Sequence, residues 1–252
     1  MGKLRHIAFI SKEPNKLSDF YQKFFDLEEV RVFPSGSRMV IDGLFNLAFL
    51  QQHTDKVAVV GTHRADGAEA NQIQGIAHYG FLVNNLDEAV SKLPAGLKRG
   101  DSPQTSGGVS GPEAARPAEV RFIDPWGNNV DISSRGFLGR EEKRLPGVRL
   151  AVVQVADPDQ ACEFYKSQFE LEVIKREPDG SLLLSDGIVK LLFTKKQTLG
   201  RGGIQYFGIQ VENLPAVRRR LSDGGVEIFP VEGAANQIRI SDPEGNQVVI
   251  SE

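Results

Sequence analysis

The stretch Asp124-Pro-Trp-Gly-Asn-Asn-Val-Asp-Ile-Ser133 decides the fold, because the chain writes it twice. Near the C-terminus stands Asp242-Pro-Glu-Gly-Asn-Gln-Val-Val-Ile-Ser251. Asp-Pro-x-Gly-Asn is turn chemistry: Pro fixes φ, Gly takes the positive-φ position and Asn tolerates it. The residues that follow alternate as a strand. Asn129, Asp131 and Ser133 share one face, and Val130 and Ile132 share the other. The second copy carries Val249 where the first carries Asp131.

Working outward, a shift of 144 residues lays 4–50 over 148–194 without a gap. Arg5 meets Arg149, Pro14 meets Pro158, and Phe20-Tyr21 meets Phe164-Tyr165. Leu27-Glu28 meets Leu171-Glu172, and Asp42-Gly43 meets Asp186-Gly187. A match of this length marks a duplicated half. Each half divides again: 5–11, 77–83, 148–155 and 205–211 read as strands, each followed by a helix. The helices are expected near 15–27, 86–93, 158–169 and 214–222, the first with a helical stripe of Leu17, Phe20, Tyr21, Phe24 and Phe25. Short strands follow each helix, so the unit is β-α-β-β-β, four times. The expected fold is α+β, with four βαβββ modules paired into two cup-shaped mixed-sheet domains. The expected boundaries are 1–137, a charged linker at 138–146, and 147–252. Long connections are expected at 54–74 and 100–118, and a much shorter one at about 195–202.

Composition excludes several classes. A formal charge of −3 over 252 residues, without charge blocks, points to neither nucleic acid nor a membrane surface. A single cysteine, Cys162, excludes an internal disulfide and a thiolate-rich metal site, and reads as a small core residue on a helix. Met1-Gly-Lys-Leu runs straight into a strand, with neither a signal-peptide pattern nor an apolar span of about 18 residues. A cytoplasmic protein, monomer or homodimer, is the default expectation. "SGGVSG" lacks the Lys and helix of a phosphate loop, and "VRRRL" at 217–221 reads as a solvated helix face.

Two of the four histidines, His6 and His78, occupy the same position of the first strand in modules one and two. Each shares a face with small or apolar neighbours. Asp131 adds a carboxylate in a frame that otherwise asks for apolar residues. Two imidazoles and one carboxylate with open positions form the facial arrangement of non-haem Fe(II) sites, and also suit Mn(II), Ni(II), Co(II) or Zn(II). The duplicate acts as an internal control: His6 aligns with Leu150, His78 with Tyr206 and Asp131 with Val249. All three candidates vanish together, so one divalent metal ion per chain is expected in the N-terminal half and none in the C-terminal half.

The four modules, the "FYxxxF-L" helix end and the "DPxGNxxxIS" strands resemble the vicinal oxygen chelate superfamily. That group includes glyoxalases, bleomycin-resistance proteins, epimerases, fosfomycin-modifying enzymes and type I extradiol dioxygenases. The resemblance covers nearly the whole chain. It implies a cup with the metal on its inner face, held by His6, His78 and Asp131, the last standing where the family usually has Glu. Its dioxygenase branch implies Fe(II), a small catecholic or oxygen-rich substrate, and O₂. That branch places its metal in the C-terminal half, and uses a further His and a Tyr beside it. Here "GLFNLAF" offers Phe45 and Asn46 in place of the His, and "EVRFID" has no Tyr. His63, in the 54–74 connection, is the candidate to fold back over the mouth as the missing catalytic group; His53 lies beside it. An exposed loop histidine is the plainer alternative. A redox-neutral glyoxalase-like isomerase, epimerase or lyase is the second reading, although module one ends in Gln51 and Gln52 with no carboxylate base. A metal-free binding protein of the bleomycin-resistance kind is the third.

Overall fold

The computed structural model describes residues 1–52, 75–97, 99–100, 120–195 and 203–252. The connections containing His53 and His63 lie outside the described residues, as does 101–119. Module one is β1 (Lys3–Ser11), α1 (Pro14–Phe25), β2 (Glu28–Val32), β3 (Arg38–Ile41) and β4 (Asn46–Gln51). Module two is β5 (Gly75–Leu82), α2 (Leu86–Ser91), β6 (Arg99–Gly100), β7 (Val120–Ile123) and β8 (Asn129–Ser133). Module three runs β9 (Gly147–Val155), α3 (Pro158–Phe169), β10 (Glu172–Arg176), β11 (Leu182–Ser185) and β12 (Lys190–Lys195). Module four runs β13 (Gly203–Gln210), α4 (Leu214–Asp223), β14 (Ile228–Pro230), β15 (Gln237–Ser241) and β16 (Gln247–Ser251).

The modules pair into two eight-stranded sheets with the same order, β2-β3-β4-β1-β5-β8-β7-β6 and β10-β11-β12-β9-β13-β16-β15-β14. The two first strands of a pair, β1 and β5, lie antiparallel at the centre, and each is flanked by the last strand of its own module in parallel. Both sheets stay open, with distinct edge strands. This is the α+β, two-cup architecture expected.

Local chemistry sets the elements. α3 starts at Asp157, whose side chain accepts from the Gln160 N–H, with Pro158 in its first turn. Asn85 and Asn213 cap α2 and α4 in the same way. α1 ends at Phe25, where the apolar stripe ends and short of the expected residue 27, because Asp26 turns left-handed at φ 54°. In both repeated turns the aspartate closes the loop. Asp124 Oδ1 accepts from Trp126 N and Asn128 N, and Asp242 Oδ1 accepts from Glu244 N and Asn246 N. Gly127 and Gly245 hold φ near 87° and 85°, which only glycine adopts freely.

Strand alternation divides the cores. Ile7, Phe9, Val40, Leu47 and Phe49 join α1 in the large buried cluster, while Ala8, Met39 and Ala48 form a small one on the opposite, cup-side face. Aromatic side chains join the halves: Phe81 of β5 stacks on Phe169 of α3 with centroids 3.8 Å apart, and Phe9 of β1 meets Phe207 of β13 edge-on at 5.7 Å. Cys162 is buried there, as its position on the helix suggested.

Four polar contacts between the halves occur in exchanged pairs. Arg5 Nη1 donates to Asp186 Oδ2 at 2.6 Å, and Arg149 Nη1 donates to Asp42 Oδ2 at 2.9 Å. Tyr21 Oη donates to Asp242 Oδ2 at 3.0 Å, and Tyr165 Oη to Asp124 Oδ2 at 2.7 Å. The motif's aspartate therefore serves two purposes: it closes its own turn and receives a tyrosine from the other half.

Candidate metal centre

The register of the central strands assembles the site. His6 on β1 lies opposite Gly80 on β5 and beside Asn46 on β4; Gly80 pairs with Asp131 on β8, and His78 with Asn129. All four central strands thus present their cup-side residues to one point. His6, His78 and Asp131 each offer a ligand atom, and these atoms lie within 4.8 Å of one another. His6 Nε2 is 3.3 Å from His78 Nε2, and His78 Nε2 is 3.3 Å from Asp131 Oδ2. Two donors held about 2.1 Å from one ion subtend about 3.0 Å at a right angle and about 3.4 Å at a tetrahedral one, so the two spacings from His78 fit a first-row divalent ion.

The surroundings prepare these donors. His6 Nδ1–H donates to Asn46 Oδ1 at 2.7 Å, which turns the Nε2 lone pair toward the cluster. Burial pushes the His6 imidazole down to about 4, and drives His78 well below its ordinary range with the Arg121 guanidinium adding to the effect. Both rings are therefore neutral and ready to ligate. Burial alone would raise the Asp131 carboxyl, but Arg121 and the imidazoles outweigh it and hold it below the usual carboxylate range. On donor chemistry and spacing, the three residues fit the ion.

Three further residues complete the centre, and of these the sequence reading had named only Asn46. Arg121 on β7 faces Asp131 directly across the β7–β8 hairpin. Its Nε donates to Oδ1 at 2.5 Å and its Nη2 to Oδ2 at 2.8 Å, and the same Nη2 lies 3.0 Å from His78 Nε2. Asn46 holds His6, but its own amide nitrogen is buried without a partner, as is Asn129 Oδ1. Phe137, just beyond β8, stacks on His6 with centroids 4.6 Å apart and planes within 3°.

Gly80 makes the last contact possible. A Cβ there would fall 2.6 Å from Phe137 Cζ and 3.2 Å from His6 Cβ. Gly80→Ala should therefore push Phe137 off the imidazole and cost about 1–3 kcal/mol of stability by overpacking. Urea unfolding measures this, and an unchanged midpoint would mean that the backbone yields instead.

In the C-terminal sheet the same positions hold Leu150, Tyr206 and Val249, and the described residues offer no second cluster of this kind. The fold and the N-terminal cluster together define a tandem cup protein with one candidate metal centre. The family model for the Glyoxalase/Bleomycin resistance protein/Dioxygenase superfamily matches residues 3–132 and 147–250, and the chain belongs to that superfamily. Among solved structures it is similar to the 2,3-dioxygenase LapB from Pseudomonas sp. KL28, at 13% identity over 99% of this chain and 91% of that one, with a TM-score of 0.70. It is similar to the Mn(II)-bound glyoxalase from Novosphingobium aromaticivorans, at 13% identity, 100% and 83% coverage and a TM-score of 0.71. Homoprotocatechuate 2,3-dioxygenase from Arthrobacter globiformis matches at 11% identity, with 99% and 79% coverage and a TM-score of 0.65. At these identities the likeness is one of fold. A comparison with curated protein sequences gave no match. No helix of the described residues is long and apolar enough to cross a membrane.

Proposed function

We propose that the chain is a mononuclear-metal enzyme of the vicinal oxygen chelate kind. Its first reading is an Fe(II)-dependent extradiol-type oxygenase acting on a small substrate that presents two neighbouring oxygens. The observation that carries this is the convergence of two neutral imidazole nitrogens and one carboxylate oxygen within 4.8 Å of one another in a buried cup, with His78 3.3 Å from each of the other two. Such a set leaves further coordination positions for a chelating substrate and O₂. The 2,3-dioxygenases among the similar structures agree with this reading.

A bound divalent ion would supply Lewis acidity toward both reactants. His6, His78 and Asp131 would hold it, Asn46 would keep His6 in the ligating tautomer, and Phe137 would fix the ring's plane and exclude water from that side. Proton handling is where this chain departs from the dioxygenase branch. Asn46 and Arg121 stand beside the ligands in place of a His and a Tyr, and the Asn46 amide is neither an acid nor a base. Proton transfer then falls to the substrate's own acidity or to a residue such as His63.

The test is anaerobic metal analysis of the wild type beside His78→Ala, with O₂ uptake on a panel of catechols. About one Fe(II) per chain in the wild type, lost in the variant and accompanied by O₂ consumption, is expected. One equivalent of Mn, Ni, Co or Zn without O₂ uptake would instead indicate a redox-neutral isomerase or lyase. A second reading rests on the Arg121 contacts: a guanidinium already occupying the carboxylate suits a metal-free cup that binds anions. Failure to take up any metal on reconstitution would select it.

A further inference from the structure

The two histidines of the centre stand in matched frames. His6 lies on the first strand of module one, in register with Asn46, the first residue of that module's last strand. His78 lies on the first strand of module two, in register with Asn129, the first residue of β8. Each histidine therefore has an asparagine beside it on the parallel neighbouring strand, and alternation sends both pairs to the cup. The preceding turns make no use of these asparagines. Asp42 closes the first turn with Leu44 N and Phe45 N, and Asp124 closes the second with Trp126 N and Asn128 N. In the C-terminal sheet the same register sets Leu150 beside Lys190 and Tyr206 beside Gln247. Histidine and asparagine are absent together, twice, where the aspartate turns are kept.

The pairs differ in one respect. His6 Nδ1 meets Asn46 Oδ1 at 2.7 Å. His78 Nδ1 and Asn129 Oδ1 are both buried, and among the described residues neither has a hydrogen-bond partner. One is a ring nitrogen and the other a carbonyl oxygen, so each is what the other lacks. Orphaned buried polar atoms are uncommon, and two of complementary kind on residues in register call for a cause. Ligation supplies one. A histidine that gives its Nε2 lone pair to a metal carries its proton on Nδ1, and that N–H needs an acceptor. Resting on the metal-enzyme reading above, we infer that Asn129 is the positioning residue of His78, as Asn46 is of His6. His6 already has its partner. His78 gains its own on ligation: with Nε2 bound, Nδ1–H donates to Asn129 Oδ1. That bond fixes the tautomer and the plane of the ring. It also ties β5 to β8, the strands that carry His78 and Asp131.

The experiment titrates Co(II) into the full chain, following affinity by the visible ligand-field bands and the ring N–H protons by paramagnetically shifted proton NMR in water. The wild type should show two slowly exchanging ring N–H signals, one from each ligating histidine. In Asn129→Ala one of them should be lost to exchange with water while the other stays, and Co(II) should bind about 10–100-fold more weakly. Asn46→Ala should lose the other signal of the two. Asn129→Asp, which keeps the acceptor, should bring the missing signal back. An asparagine that only supports the strand would not single out one signal or be rescued in this way. Thermal melts verify that the variants fold, and the wild-type spectrum stands without them. Fewer than two slowly exchanging ring signals in the wild type, or both signals kept in Asn129→Ala, would overturn the role of Asn129 while leaving a metal enzyme. No Co(II) bound by the wild type would remove the metal reading itself, and this inference with it.

Discussion

Asp42→Ala should lower the unfolding free energy by about 3–5 kcal/mol, the cost of leaving a buried cation without its carboxylate. The side chain is completely buried and all its lone pairs are used. Oδ1 accepts from Leu44 N and Phe45 N, and Oδ2 accepts from Val148 N and Arg149 Nη1. Three of these are backbone donors that would be orphaned along with the guanidinium. Asp186→Ala should cost a similar amount, because Asp186 receives Leu4 N, Arg5 Nη1, Ile188 N and Val189 N in the same way. Urea unfolding of the two variants beside the wild type measures both losses. Losses under about 1 kcal/mol, the range of exposed ion pairs, would show that water reaches these carboxylates.

The second large effect is acid sensitivity of the metal-free protein. Both site histidines have folded values depressed by burial, His6 to about 4 and His78 well below its ordinary range. In the unfolded chain each takes a proton near pH 6.5, so from there downward the unfolded state binds more protons than the folded one. Their contribution is thus intact above pH 6.5 and is lost as pH falls toward 4, at up to about 1.4 kcal/mol per pH unit for each imidazole. The depressed Asp131 carboxyl acts in the same direction, but only below the ordinary carboxylate range. Unfolding free energies measured between pH 7 and 4.5 should fall steeply in the wild type and less steeply in His78→Gln. Parallel slopes would mean that the imidazoles are solvated.

The duplication, the sixteen-strand plan and the convergence of His6, His78 and Asp131 were legible because they rest on periodicity and on turns with one conformational solution. Strand alternation sends every second residue to the cup, and the Asp-Pro-x-Gly-Asn turns fix the hairpin register. Arg121 escaped for an instructive reason. Comparing the halves reveals what differs, and Arg239 stands opposite Val249 just as Arg121 stands opposite Asp131. A residue kept in both copies looks like frame. Only its surroundings distinguish the two: Arg239 is exposed and lies over Phe229, whereas Arg121 is buried against a carboxylate. The signal was available, since the turn after Ile123 places residue 121 opposite residue 131. Phe137 had no such signal, because it reaches His6 from beyond the last strand, where no period constrains it. His63 lies outside the described residues, and its role stays a proposal.

The exchanged contacts between the halves amount to an isologous interface contained in one polypeptide. Arg5 meets Asp186 as Arg149 meets Asp42, and Tyr21 meets Asp242 as Tyr165 meets Asp124. Two separate copies of one half could make the same bonds about a two-fold axis, but only at a concentration high enough to hold them together. Joining them replaces that concentration with the effective one set by a short tether. It also frees each copy from having to match the other in chemistry. The C-terminal half could exchange its histidines and aspartate for Leu150, Tyr206 and Val249 while keeping the arginine, tyrosine and aspartates of these exchanged contacts.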